Sequence, residues 1–226
     1  MPWQLNYLNT VHLATDRITD GVFLTHAHIG HYTGLMYFGR EAMGADNSKV
    51  YAMPRMKVFL ETNGPWSQLV QLKNISLQSL YQNKTVTLSK NLKVTPFLVP
   101  HRDEYSETVG FKIEGNTKKA LFIPDINKWE LWEKKLISEL EKVDFAFIDA
   151  TFLADGEIAR PMNEVPHPFI EETVALLKSS PANLKSKIIF IHFNHSNPVL
   201  EKSNNRRKEL EQQGYRFAHF GTVFEL

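Results

Sequence analysis

The chain has 226 residues, of which 42% are hydrophobic and 23% charged, with a formal net charge of +1 and no cysteine. This is the composition of a globular protein with a real core, and its near-neutral charge offers no field to attract nucleic acid or a membrane surface. Because cysteine is absent, disulfides and thiolate zinc sites are excluded, and any bound metal must use His, Asp, Glu or water.

No internal repeat or low-complexity linker interrupts the chain, so the sequence predicts a single domain over residues 1–226. The opening MPWQLNYLNTVHLATDRITDG has neither the charged start nor the long apolar run of a signal peptide. No apolar run is long enough for a membrane span. We therefore expect a cytoplasmic protein.

Apolar runs alternate with amphipathic stretches along the chain. Strands are predicted where Val, Ile and Phe concentrate between Gly, Pro or Asn, at residues 21–25, 49–53, 85–89, 92–100, 109–115, 119–124, 143–150 and 187–192. Helices are predicted at residues 31–42, 54–62, 66–72, 128–141, 167–179 and 198–213. This mixture of strands and crossover helices favours an α/β fold with layered sheets.

Two stretches have a more specific interpretation. In the helix predicted at 128–141, Trp129, Trp132, Leu136 and Leu140 recur at steps of three and four residues, which is typical of one buried helical face. Those tryptophans are better explained as core than as a ligand platform. The stretch SPANLKS (180–186) is expected to end a helix and form a loop.

Three histidines follow the first predicted strand, in GVFLTHAHIGHYTGL (21–35). They are His26, His28 and His31, all within six positions. A lone histidine is usually an ordinary surface residue, but three in one tight turn are harder to explain that way. Neutral imidazole is the commonest protein metal ligand, so this stretch favours a metal site.

Five apolar strands each run into a residue that binds metal or moves protons. These residues are His26, His101, Asp125, Asp149 and His192. A polar residue at one strand end is often only a turn or cap. If several of the strands are parallel, their carboxyl ends converge, and sites in open α/β sheets lie in that crevice. The sequence thus predicts that these side chains converge.

The stretch THAHIGH resembles the His-x-His-x-Asp-His signature of the metallo-β-lactamase superfamily. The resemblance implies an αββα sandwich, with two β-sheets face to face and helices outside. It implies a first metal site of His26, His28 and His101. It also implies a second site of His31, Asp125 and His192, in which Asp125 bridges the two metals.

Longer stretches narrow the resemblance over nearly the whole chain. VPHRDEYSETVGFKI, FIDATF, VPHPFIEET and HFNHSNP are similar to the pyrroloquinoline-quinone biosynthesis protein B branch, which is itself similar to the tRNase Z and phosphodiesterase members. FIDATF followed by His167 also resembles a ribonuclease-like arrangement. That arrangement implies that an acid, Asp149, and the downstream His167 assist proton transfer. In the hydrolase that the resemblance implies, Asp125 is catalytic because it holds the metals or orients the water.

The chain departs from the family pattern in two places. Gly30 stands where the superfamily carries an aspartate, so the second site loses a carboxylate. One interpretation is that Gly30 lowers the affinity of the second site for metal or changes which metal the site holds. The other is that Gly30 only eases a tight turn and the second site is vestigial. His195, Asp149, Asp103 and Glu104 are candidates to fill or support the gap. Family members also begin with extra strands, so either the start is truncated or the fold is trimmed.

Three hypotheses about function follow. The leading one is a metal-dependent hydrolase in which metal-bound hydroxide attacks an ester, phosphodiester or amide, with His167 protonating the leaving group. The second is an iron-dependent oxidative enzyme of redox-cofactor maturation, because two histidines and one carboxylate suit non-haem Fe(II). The third is a degenerate, non-catalytic metal-binding member.

The cofactor we expect is one or two zinc ions, with iron or manganese as alternatives. The expected partner is a small-molecule or peptide-derived substrate, and neither a membrane nor a nucleic acid is expected, since phosphate binding normally needs a basic face. The oligomeric state is left open. His12 and His219 have no motif around them and are predicted to be non-catalytic.

Overall fold

Two separate β-sheets organise residues 19–226, the part of the chain that the structure, a computed structural model, describes. Each sheet belongs to its own compact unit. The described part of the first unit runs from residue 19 to 84 and includes Asp103–Thr108, and the second unit comprises Thr85–Arg102 and Val109–Leu226. The prediction for His12 and the expectation of missing opening strands lie outside the described residues.

The first unit is built on a three-stranded parallel sheet. Its strands are β1 (Val22–Phe23), β2 (Ser48–Ala52) and β3 (Ile75–Ser79), in that spatial order. The crossovers contain α1 (Ile29–Tyr32), a 3₁₀ helix (Thr33–Phe38), α2 (Pro54–Thr62) and α3 (Trp66–Gln71). Parallel strands need such helical crossovers, and apolar side chains from both layers, including Phe38, Val50 and Leu60, form the core of this unit.

Most elements predicted for this unit are confirmed, with two exceptions. The helix predicted at 31–42 ends as a 3₁₀ helix at Phe38, where Gly39 turns to an extended conformation. Glycine is a poor helix former, which explains the early end. Strand β3 was not predicted, because its sequence ISLQS carries polar residues at every second position and too few apolar ones to stand out.

The second unit contains a mixed seven-stranded sheet in the order β10-β9-β8-β7-β6-β5-β4. Its antiparallel part joins β4 (Val86–Ser89), β5 (Leu92–Leu98), β6 (Val109–Glu114) and β7 (Lys119–Ile123). Its parallel part joins β7, β8 (Phe145–Asp149), β9 (Ile188–Ile191) and β10 (Arg216–Phe217). The six strands predicted between residues 85 and 192 are confirmed, and the two-residue β10 was missed.

The helices of the second unit are α4 (Leu136–Leu140), α5 (Ile170–Leu176), α6 (Ala182–Lys185) and α7 (Asn205–Gln212). Three 3₁₀ turns accompany them, at Trp129–Leu131, Met162–Glu164 and Pro198–Leu200. The helices predicted at 167–179 and 198–213 are therefore shorter than expected. Asn204 separates the last 3₁₀ turn from α7 by capping that helix, since its side chain accepts a hydrogen bond from the backbone N–H of Arg207.

The prediction of one continuous helix at 128–141 is wrong. The backbone is extended at Trp132 and again at Lys135, so a 3₁₀ turn and α4 replace it. Both tryptophans and both leucines of the predicted face are still buried in one core cluster, which confirms their assignment to the core. The loop predicted at 180–186 is also wrong in part, because α6 forms there, with the extended residue Pro181 directly before its first turn.

Burial explains why β7, β8 and β9 are rich in apolar residues. Ile123, Ile148 and Phe190 have no exposed surface and lie at the centre of the core of the second unit. Interior parallel strands carry such continuous apolar sequences because both faces of the sheet are covered. Among the described residues, no helix combines the length and apolar character needed to cross a bilayer.

Candidate metal centre

The carboxyl ends of three neighbouring parallel strands of the second unit meet at one edge of the sheet. Asp149 is the last residue of β8, Asp125 follows β7 by two positions, and His192 directly follows β9. His101 follows β5, which runs in the same direction as β7 because each is antiparallel to β6. The predicted convergence at strand ends is confirmed for these four residues.

Four side chains at this edge form what we call the acid–imidazole cluster: Asp125, Asp149, His167 and His192. Each offers one potential ligand atom, and these atoms all lie within 4.8 Å of one another. Asp125 and Asp149 are 4% and 0% exposed. Two carboxylates buried this deeply need cationic or hydrogen-bonding partners, since an unpaired buried charge is strongly destabilising.

Asp149 and His167 form a close ion pair within the cluster. His167 Nδ1 lies 2.9 Å from Asp149 Oδ2 and 3.2 Å from Asp125 Oδ1. Burial by itself would lower the pKa of His167, but the hydrogen bonds to Asp125 and Asp149 outweigh it and raise that pKa to about 10. Burial would likewise raise the pKa of Asp149, but the hydrogen bonds from His167 and His192 hold it below its usual range. The pair is therefore ionised at neutral pH.

Asp125 lies between two further imidazoles of the second unit. Its Oδ2 is 3.3 Å from His101 Nε2 and 3.9 Å from His192 Nε2. Two ligand atoms bound to one zinc ion at about 2.0–2.1 Å in a tetrahedral arrangement lie about 3.4 Å apart. The spacing of Asp125 and His101, and their oxygen and nitrogen donors, therefore fit a shared divalent metal such as zinc, and the same carboxylate oxygen also faces His192.

His192 is held in an unusual backbone conformation. Its φ is +61°, in the left-handed region that residues with a Cβ rarely adopt. Its Nδ1 contacts Thr151 Oγ1 at 2.9 Å and Asp149 Oδ1 at 3.4 Å. Sequence reasoning missed Thr151, although it lies within FIDATF, because a hydroxyl two residues past a strand end usually only caps a turn.

The first unit contains the other histidines of the predicted site. His26 Nε2 and His28 Nδ1 lie 3.0 Å apart, and the ring centroids of His26 and His31 are 4.2 Å apart. The remaining nitrogens are also engaged: His26 Nδ1 is 3.1 Å from Thr25 Oγ1, and His28 Nε2 is 2.9 Å from Glu104 Oε2. Such partners on the far nitrogen orient metal-binding imidazoles in many proteins.

Gly30 is not required by the backbone. It lies in α1, it is absent from the residues with positive φ, and a Cβ placed on it meets no atom within 4 Å. The alternative that Gly30 only eases a tight turn is therefore wrong: this position has room and ordinary geometry for a residue with a side chain. The missing carboxylate is a chemical property of this chain rather than a steric necessity.

Other residues singled out in the sequence have ordinary roles. His219 Nε2 lies 3.0 Å from an Arg207 nitrogen, and its non-catalytic role stays a prediction. Asp103 accepts a hydrogen bond from Thr108 Oγ1 at 2.8 Å. His195 is exposed and is not part of the acid–imidazole cluster. Glu104, one of the candidates to fill or support the gap at Gly30, contacts His28.

Comparison with known proteins gives a consistent result. A family model described as a beta-lactamase superfamily domain matches residues 5–193. Coenzyme PQQ synthesis protein B from Klebsiella pneumoniae is 28% identical, over 91% of this chain and 72% of that protein. The crystal structure of Zn(2+)-bound PqqB from Methylobacterium extorquens superposes with a TM-score of 0.72 at 22% identity, covering 92% of this chain and 72% of that one. A diphosphatase from the PhnP family superposes with a TM-score of 0.57 at 20% identity, covering the same shares.

Proposed function

Because the chain belongs to the metallo-β-lactamase superfamily, in the branch of coenzyme PQQ synthesis protein B, we propose that it is a metal-dependent hydrolase. Its substrate in this proposal is a small or peptide-derived ester, phosphodiester or amide. The observation that carries the proposal is the buried arrangement of Asp125 between His101 and His192, next to the Asp149–His167 ion pair.

Asp125, His101 and His192 are the residues of the second unit that would hold the metal. The family pattern adds His26 and His28 to the first ion and His31 to the second, and we include them in the proposal on that sequence basis alone. Zinc bound by such nitrogen and oxygen donors acts as a Lewis acid and lowers the pKa of water to about 7. One or two zinc ions are proposed, with manganese as an alternative.

His167 is proposed as the general acid. A general acid must hold its proton at the working pH and must be fixed in orientation. In the metal-free protein, the pKa of about 10 keeps His167 protonated at neutral pH. Its Nδ1 donates to Asp149 and lies 3.2 Å from Asp125 Oδ1, so two carboxylates orient the ring. In this proposal its other nitrogen faces the leaving group. Asp149 keeps the imidazolium charged and oriented.

The test begins with elemental analysis of protein purified without chelator or added metal. Hydrolysis of a panel of chromogenic phosphodiesters, esters and amides is then measured for the wild type, His101→Ala, Asp125→Asn and His167→Asn. His195→Ala is the matched control, because it removes an exposed histidine outside the cluster. We expect His101→Ala and Asp125→Asn to lose metal and activity, and His167→Asn to keep metal but lose activity. Full metal content and turnover in His101→Ala would refute the proposal.

A second candidate is an iron-dependent oxidative enzyme of redox-cofactor maturation. The observation that favours it is the contact of Asp125 with His192. In the family pattern His31 joins these two in the second site, and such a set of two histidines and one carboxylate also suits non-haem Fe(II). The names of the coenzyme PQQ relatives point to the same kind of pathway. Oxygen consumption by the Fe(II)-loaded protein with a tyrosine-bearing peptide tests it, and no uptake by a fully loaded sample would count against it.

A further inference from the structure

Thr151 is the buried hydroxyl at the centre of the acid–imidazole cluster. Its Oγ1 lies 2.6 Å from Asp149 Oδ1, 2.9 Å from His192 Nδ1 and 3.2 Å from His167 Nδ1. The residue is 7% exposed, and its backbone N–H donates to the same Asp149 oxygen at 2.9 Å. Three polar groups therefore meet at a hydroxyl that has a single hydrogen to donate.

The direction of each hydrogen bond follows from counting donors. Asp149 accepts from two backbone N–H groups, those of Ile126 and Thr151, and it is surrounded by side-chain donors as well. An ionised carboxylate can only accept, so the single hydrogen of Thr151 goes to Asp149. The hydroxyl oxygen is then an acceptor for the imidazoles. Its short contact to His192 is attractive only when Nδ1 of that ring carries hydrogen.

The consequence for His192 is a defined orientation and tautomer. With hydrogen on Nδ1, the lone pair of the neutral ring is on Nε2, the nitrogen that lies 3.9 Å from Asp125 Oδ2. His167 Nδ1 is closer to Asp149 Oδ2, at 2.9 Å, than to Thr151 Oγ1, at 3.2 Å, so Asp149 is the main partner of that ring. For His192 the order is reversed: Thr151 Oγ1 lies 2.9 Å from its Nδ1 and Asp149 Oδ1 lies 3.4 Å away, so the hydroxyl is the nearer partner of this proposed metal ligand.

The backbone of Thr151 also supports the strained loop that carries His192. Its carbonyl oxygen accepts from the backbone N–H of Asn194 at 3.0 Å and from Asn197 Nδ2 at 3.2 Å. A left-handed conformation at a residue with a Cβ is strained and persists only where its surroundings hold it. These two hydrogen bonds therefore attach the loop that follows β9 to the loop that follows β8.

We propose that Thr151 is a positioning residue, whose hydroxyl holds His192 with hydrogen on Nδ1 and so presents Nε2 as the metal-binding nitrogen. The metal part of this inference rests on the proposed function, but the tautomer is a property of the metal-free protein as well. Residues that orient a metal-binding histidine in this way typically change metal affinity by about 10–100-fold when they are removed.

Thr151→Val and Thr151→Ser test the proposal together. Valine keeps the shape and removes the hydroxyl, whereas serine keeps the hydroxyl. Long-range ¹H–¹⁵N correlation spectra of the chelator-treated protein report which nitrogen of His192 carries hydrogen. We expect Nδ1–H in the wild type and Thr151→Ser, and a mixture of tautomers in Thr151→Val. Zinc affinity, measured by competition with a chromophoric chelator, should fall about 10–100-fold in Thr151→Val and recover in Thr151→Ser.

The outcomes separate this inference from the proposed function. An unchanged His192 tautomer in Thr151→Val, or a zinc affinity within twofold of the wild type, would overturn the role of Thr151. A tautomer change in a protein that binds no zinc in any variant would support Thr151 and refute the metal-dependent function. If Thr151→Val unfolds in the circular dichroism control, Thr151→Ala against Thr151→Ser gives the same comparison.

Discussion

Replacing Gly30 with alanine should stabilise this protein. Gly30 is exposed in α1, has no positive φ, and has open space where a Cβ would lie. Glycine within a helix is less stable than alanine by roughly 0.5–1 kcal/mol, because it loses more conformational entropy on folding. The new methyl group gains little from burial, so we expect the free energy of unfolding to rise by at most that amount. For a chain of this size, the melting temperature should rise by about 1–4 °C.

Gly44 provides a matched control for this experiment. A Cβ there also meets no atom within 4 Å, but its φ is +56°. Alanine in that left-handed conformation is strained by about 1–2 kcal/mol, so Gly44→Ala should lower the melting temperature. Thermal unfolding of both variants in chelator makes the comparison independent of metal. If Gly30→Ala destabilises the protein as much as Gly44→Ala does, our account of Gly30 is wrong.

Gly30→Asp extends the same comparison to metal binding. The substitution restores the carboxylate of the family pattern at a position with room for it. Elemental analysis after zinc loading should give a higher metal content per chain for Gly30→Asp than for Gly30→Ala. Equal content in the two variants would mean that the carboxylate at this position does not limit the second metal.

Three further predictions concern the charged partners of the histidines and the metal. Glu104→Ala should weaken zinc binding about 10–100-fold, because it removes the partner of His28 Nε2. Glu104→Gln should have an intermediate zinc affinity. An unchanged affinity of Glu104→Ala in the chelator competition assay would contradict this role of Glu104. Because the pKa of folded His167 is raised from 6.5 to about 10, its contribution to stability is complete below about pH 6.5 and is lost as the pH rises towards 10. Urea unfolding of the chelator-treated protein should show that loss, and a parallel decline in His167→Asn would exclude the ion pair as its source. Zinc at 100 times its dissociation constant should raise the free energy of unfolding of the wild type and His195→Ala by about 2.7 kcal/mol. It should not stabilise Asp125→Asn. Equal stabilisation of all three proteins would mean that the metal binds at a site without Asp125.

Local patterns in the sequence were sufficient for eight of the ten strands in the described residues and for the residues at their ends. Apolar runs such as FAFI and IIFI identify buried strands, because few polar positions interrupt them. Asp125, Asp149 and His192 could be grouped because neighbouring parallel strands bring their carboxyl ends to one edge. The site residues of the second unit were therefore predictable from the order of the strands, with the family resemblance supplying their roles.

Other features depend on contacts between residues far apart in the chain. The continuous helix predicted at 128–141 is one example. A 3₁₀ turn followed by α4 buries the same apolar residues as one helix would, so apolar periodicity could not distinguish the two structures. Those residues are Trp129, Trp132, Leu136 and Leu140. The pairing of Glu104 with His28 joins residues 76 positions apart. No local sequence rule specifies such a contact, because it forms only when the loop is folded against the unit.

What the sequence determined by itself is which residues are candidates for the chemistry: the histidines, the two strand-end aspartates and the glycine that replaces a carboxylate. What only the tertiary structure decided is how their hydrogens are shared. Thr151 has one hydrogen and three neighbours, and the distances to Asp149, His192 and His167 determine where that hydrogen goes. The direction of a hydrogen bond depends on all the groups around the donor, and in this cluster those groups come from three separate segments of the chain.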